Sequence, residues 1–87
     1  MAWQVLLARP AQKQLAAIPG KDYRRIYNEI SQLAETPRPR SCIKLDDDIY
    51  RIRCGAYRVI YSILDAEQTV LILKVARRSE KTYQDLP

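Results

Sequence analysis

The chain contains no histidine, only two cysteines in 87 residues, and no acidic side chain between Ile49 and Ile63. Without histidine there is neither an imidazole base poised near neutral pH nor an imidazole metal ligand. Cys42 and Cys54 are too few for a disulfide-stapled scaffold and lack metal-ligand spacing, so reduced, structural thiols are expected. The contiguous Asp46, Asp47 and Asp48 lack the alternating ligands, glycine and terminal glutamate of a calcium loop, and read as a solvated turn. No metal site is expected. The apolar run Val5 to Ala8 is too short for a signal peptide or a membrane span, which predicts a cytoplasmic protein without a membrane partner.

What is present is arginine. Lys and Arg number 15 against 10 Asp and Glu, for a net charge of +5, and most of the basic residues are arginines. A planar guanidinium suits phosphate and carboxylate recognition, so the balance points to a polyanion or an acidic protein as partner. The length predicts one small domain, 1–87, with a modest core and one site.

Along the chain, Trp3 to Leu7 reads as a strand stopped by Arg9-Pro10. Ala11, Leu15 and Ile18 then mark one stripe of a helix that Pro19-Gly20 ends. A second helix carries Tyr23, Ile26, Tyr27, Ile30, Leu33 and Ala34 on an apolar face until Thr36-Pro37. Pro37 to Ser41 is a basic, extended connection. Two alternating strands follow, hinged at Gly55-Ala56, and a last strand runs from Thr69 to about Ala76. That last strand is nearly continuously apolar, as if covered on both faces. The predicted class is α+β: β-α-α-β-β-β with a short basic C-terminal tail, a helical hairpin packed on one face of a mainly antiparallel sheet.

Strand alternation sends Tyr50, Ile52 and Cys54 toward the core and Arg51 and Arg53 to the other face. After the two-residue turn, Arg58 joins them, with Ile60 and Ser62 alongside, and is expected to face solvent. Tyr50, Tyr57 and Tyr61 fall in the core phase, each with a polar edge. Like charges opposite one another cost stability, and an ordinary solvent face intersperses acids, so the arginines read as a site. Arg77 and Arg78 after the last strand add a further basic cluster. Tyr83 is either a surface aromatic that tucks the tail against the sheet or a platform for unstacked RNA bases.

Lys44-Leu45, Tyr50-Arg51-Ile52-Arg53, Gly55, Tyr57-Arg58-Val59-Ile60-Tyr61, Val75-Ala76-Arg77-Arg78 and Tyr83 together resemble the bacterial RelE/ParE toxin superfamily, on the RelE side. The resemblance implies a RelE-like, microbial-ribonuclease-like fold and the toxin of a type II toxin-antitoxin system. Such a toxin enters the 30S A site of the ribosome and cuts messenger RNA, and an acidic antitoxin silences it in a hetero-oligomer. It implies catalytic roles for Arg51, Arg53, Arg58, Arg78 and Tyr83 and RNA contacts by Lys44, Lys74, Arg77 and Lys81. The family scheme needs no metal or other cofactor, and its products carry a 2′,3′-cyclic phosphate and a 5′-hydroxyl.

This chain departs from the family pattern at several positions. Arg51 and Arg53 stand where the family's best-known member has lysines, and Arg77 and Ala76 replace the His and Gly of a Gly-His-Arg motif. An arginine holds its proton throughout the ordinary pH range, so Arg51 is a poor base, and Tyr83 is left as the proton-transfer group. The alternative within the superfamily is a ParE-type toxin that inhibits DNA gyrase without cutting nucleic acid.

Overall fold

The computed structural model describes residues 3–77. Strand β1 (Gln4–Leu7) leads into helix α1 (Arg9–Ala16), whose first turn holds Pro10, where a missing N–H costs nothing. Helix α2 (Gly20–Gln32) starts from Pro19, whose carbonyl accepts from Tyr23 N at 2.8 Å. Then come β2 (Ile43–Lys44), β3 (Ile49–Cys54), β4 (Tyr57–Leu64) and β5 (Thr69–Arg77). The order across the sheet is β1-β5-β4-β3-β2, antiparallel except for the parallel β1–β5 pair.

The α+β expectation holds, with one strand more than expected. β2 has only two residues, too few for any periodicity to show, and it is strand only because it pairs with Tyr50 and Arg51. The connection before it is not simply extended. It bends and turns, with Cys42 N on Pro39 O at 3.0 Å.

One face of the sheet carries the core. Ala11 and Leu15 of α1 and Ile26 and Ile30 of α2 are buried with Tyr50, Ile52, Cys54, Val59, Tyr61, Ile63, Val70, Ile72 and Val75. Each of the Val, Leu and Ile side chains among them contributes about 1.5–3 kcal/mol by leaving water. Tyr50 and Tyr61 stack at 6.0 Å, and the Tyr61 hydroxyl donates to Pro37 O at 2.8 Å, tying the connection to the core. Tyr23 and Tyr27, expected on the apolar face of α2, are exposed instead and stack on each other at 6.0 Å. Ile26, Ile30 and Leu33 fill the stripe that meets the sheet, and the two tyrosines lie on its flank.

Two local features set the phase of the strands. Gly55 has φ +62°, the left-handed position that a two-residue hairpin requires at its first residue, and a Cβ there would lie 3.1 Å from an Arg25 nitrogen. In β5 the register moves from Ile72 opposite Tyr61 to Lys74 opposite Ile60, which leaves Leu73 as an extra, bulged residue. Gln14 Oε1 of α1 accepts from Val75 N at 2.7 Å just beyond it. The bulge explains the almost continuous apolar run. Val70 and Ile72 point to the core in one phase and Val75 in the other, so this is a switch of face rather than a strand covered evenly on both sides.

Candidate nucleic-acid interface

Residues paired across an antiparallel ladder share a face, so the register assigns every charged side chain to one side of the sheet. Arg53 is opposite Arg58 and Arg51 opposite Ile60. Across the next gap, Arg58 is opposite Ala76 and Ile60 opposite Lys74. One row therefore runs Ile43, Arg51, Ile60, Lys74, and its neighbour runs Arg53, Arg58, Ala76. Facing Cβ atoms in such rows stand about 4.5–5.5 Å apart. None of the five strands contains an acidic residue, so no carboxylate of the sheet dilutes this potential.

The Leu73 bulge decides which cations belong. Strict alternation from Val70 and Ile72 would send Lys74 to the helix-packed face and Arg77 to the arginine face. The bulge reverses both: Lys74 joins the arginines, and Arg77 lies opposite Tyr57 on the helix-packed side. Lys44 also leaves the patch, because it pairs with Tyr50. Of the expected RNA contacts among the described residues, Lys44, Lys74 and Arg77, only Lys74 is thus brought to Arg51, Arg53 and Arg58. Arg78, Lys81 and Tyr83 lie outside the described residues.

The arginines differ in their surroundings. Arg53 and Lys74 are exposed and Arg51 is half-buried. Arg51 Nε is shielded from solvent and has no hydrogen-bond partner among the described residues. Arg58 is only 4% exposed, which corrects the expectation that it faces solvent. Its phase was read correctly, but alternation fixes only the face that a side chain takes and not how far that face is covered. Ser62 and Thr69 on the same face are buried as well, so this side of the sheet is only partly open.

A further arginine has a structural post. Arg38, in the connection after α2, lies over the Tyr50 ring at 5.4 Å. Its Nε donates to the Tyr50 hydroxyl at 3.2 Å and its Nη2 to Asp65 Oδ2 at 3.0 Å. The hydrogen bonds to Tyr50 and then Asp65 raise the Arg38 pKa further. No sequence signal separated Arg38 from Arg40, since both sit in the same Pro-Arg-Pro-Arg run. Burial pushes the Tyr61 phenol up, with Cys42 adding to the shift. Burial likewise raises the Cys54 thiol, with Glu29 adding and Arg25 opposing. Neither group is poised for proton transfer near neutrality. A cavity of about 400 Å³ lined by Glu29, Leu33, Thr36, Pro39, Arg40 and Ile52 lies between α2 and the connection, on the helix-packed side. Among the described residues, no three His, Cys, Asp or Glu side chains group to hold a metal. No helix among them is long and apolar enough to cross a membrane.

A family model described as the ParE toxin of the type II toxin-antitoxin system parDE matches residues 5–82. A chain in the crystal structure of the archaeal RelE–RelB complex from Pyrococcus horikoshii is 34% identical. The match covers 92% of this chain and 99% of that one, with a TM-score of 0.84. The chain belongs to the RelE/ParE toxin superfamily. The toxin is also 28% identical over 90 residues to RelE1 of Methanocaldococcus jannaschii, across 98% of the toxin and 99% of that protein. The isolated Escherichia coli RelE toxin shares the fold at 20% identity, with a TM-score of 0.80 over 95% of the toxin and 94% of that chain. The α+β class and the family resemblance drawn from the strand motifs agree with these neighbours. The chain is a RelE-like toxin of a toxin-antitoxin system.

Proposed function

We propose that the toxin is a ribosome-dependent endoribonuclease that cuts messenger RNA in the A site and so stops translation. The observation that carries this reading is the acid-free sheet face shared by Arg51, Arg53, Arg58 and Lys74. In the proposed reaction the 2′-hydroxyl of one nucleotide attacks the adjacent phosphate. The O2′–P bond forms and the P–O5′ bond breaks in line, and the proton lost from O2′ is balanced by one gained at O5′. The products are a 2′,3′-cyclic phosphate and a 5′-hydroxyl. The phosphorane on the way carries extra negative charge, and preorganised guanidiniums act on that charge more strongly than on the ground-state diester.

Arg58 is the best placed of these groups, since a buried cation acts in a lower dielectric than an exposed one. Arg51 and Arg53 grip phosphate but cannot serve as bases. Arg78 and Tyr83 take their roles from the family resemblance, Arg78 as a second transition-state cation and Tyr83 as the proton-transfer group. With proton transfer this weak, positioning by the ribosome supplies much of the acceleration, and free RNA is a poor substrate. The scheme requires no metal.

The partner in the resting state is an acidic antitoxin bound in a hetero-oligomer in the cytoplasm. Solved toxin–antitoxin complexes of neighbours from Pyrococcus horikoshii and Mycobacterium tuberculosis support that assembly. A +5 toxin meeting an acidic partner associates faster at low salt.

Mapping 5′ ends of cellular transcripts after induction of the toxin alone tests the reading. Cuts inside translated codons, absent when translation is blocked, are expected. Intact messages with gyrase-linked DNA damage would overturn it in favour of a ParE-type toxin, the reading that the description of the matching family model favours.

A further inference from the structure

The arginine face ends at the β2 edge in apolar side chains. Ile43 is directly opposite Arg51. Leu45 N donates to Ile49 O at 2.8 Å, which continues the same register and puts Leu45 on that face beside Ile49. Ile43 is 49% exposed and Leu45 48% exposed, while Ile49 and Ile60 next to them are half-buried. Four aliphatic side chains thus border Arg51, and the two outermost are half in water.

We propose that Ile43 and Leu45 form a base-binding ledge for single-stranded RNA, a specificity element of the ribonuclease site described above and resting on that reading. With a phosphate on Arg51 and its neighbours, the base one ribose away lies flat against the two aliphatic side chains. Neighbouring strands stand about 4.8 Å apart, a step comparable to the reach from a phosphate across its sugar to the base. Unpaired bases bring apolar faces that need a platform, and apolar side chains supply one as aromatic rings do.

Charge sets the orientation. Beyond the ledge come Asp46, Asp47 and Asp48, all exposed, and they repel phosphates from that side while Arg51, Arg53 and Lys74 attract them from the other. RNA is the occupant because the ledge is continuous with the row of Arg51 and Lys74, which holds phosphate while the apolar edge takes the base. Methyl groups offer no hydrogen bonds, so the ledge discriminates by contact area, and a purine covers more of it than a pyrimidine.

The test is cut-site mapping on programmed ribosomes with the parent, the double variant Ile43→Ser/Leu45→Ser, and Ile43→Phe. The parent is expected to prefer a purine at one fixed position beside the cut. The double variant is expected to lose about fivefold of that preference, in proportion to the apolar area removed, while its melting temperature stays near the parent's because both positions are exposed edges. Ile43→Phe is expected to strengthen the preference. Cutting by the double variant with the parent's preference intact overturns the ledge alone. An unchanged preference accompanied by lost rescue from co-expressed antitoxin, or by dissolution of a parent dimer in sedimentation, overturns it in favour of a protein occupant. A parent that cuts no message overturns the ribonuclease reading itself, and that result is distinguishable from the others.

Discussion

The helix-packed face and the arginine face of the sheet are built by the same strands, alternating residue by residue, yet their energetics are opposite. On the first, Tyr50, Ile52, Val59, Tyr61 and Ile72 bury apolar area against α1 and α2. Almost any set of the right volume would serve there. On the second, Arg53 faces Arg58 across a ladder, a pairing of like charges that weakens the sheet. The difference teaches that strand phase has separated the side chains that stabilise the sheet from the charged ones that strain it. One residue on each side crosses the division: Arg58 is buried on the charged face, and Tyr61 keeps a hydrogen-bonded hydroxyl on the apolar one.

The sharpest way to break this division is to remove volume from the packed face. Ile26→Ala, at a fully buried position, is expected to cost about 2–5 kcal/mol in urea denaturation, through lost transfer energy and a residual cavity. A loss below about 1 kcal/mol would show that α2 is dispensable for stability.

On the other face, Arg58→Ala is expected to lower single-turnover cleavage on programmed ribosomes at least a hundredfold, about 3 kcal/mol of transition-state stabilisation. Because Arg58 is buried, Arg53→Ala is the control: exposed on the same face, it should lose activity with little change in melting. If Arg58→Ala melts far below the parent and retains its activity per folded molecule, Arg58 belongs to the structural side of the division.

Tyr61→Phe sharpens the comparison from the packed side. Removing the hydroxyl that donates to Pro37 O should cost about 1 kcal/mol. Tyr61 also has a pKa raised by burial, so its contribution is complete below the ordinary phenol pKa of about 10 and is lost as pH rises above it. Cys54, raised in the same direction, adds a loss that begins nearer the ordinary thiol value of about 8.5. Stability measured from pH 7 to 11 should fall for the parent and fall less for Tyr61→Phe. An identical slope in the two proteins would remove Tyr61 as the cause.

The smallest effect is expected of Arg51→Lys, which should retain or modestly raise cleavage. A lysine among Arg53 and Arg58 can lose its proton more readily than an arginine, at the expense of the bidentate grip on phosphate. An inactive Arg51→Lys across the whole pH range would mean that the fork of Arg51, and not its charge, holds the substrate.

Alternation was legible because it is local. A period of two in 49–54 and 57–64, with Gly55 between, is enough to put Arg51, Arg53 and Arg58 together and Tyr50, Tyr61 and Val59 behind them. The helix boundaries near Pro10 and Pro19-Gly20 were legible for a similar reason, since proline and glycine act on the backbone where they stand, whereas α2 ends at Gln32, ahead of the expected stop at Thr36-Pro37. What tertiary structure alone decided involves partners far away in the chain. β2 exists through pairing with β3, and Arg38 is held by Tyr50 and Asp65. The burial of Arg58 was likewise beyond alternation, which assigns its face and not the cover on that face. The bulge at Leu73 is invisible in an apolar run, because Val, Leu and Ile suit either face. Only the register against β4 fixes which residue is extra, and with it that Lys74, and not Arg77, stands among the arginines.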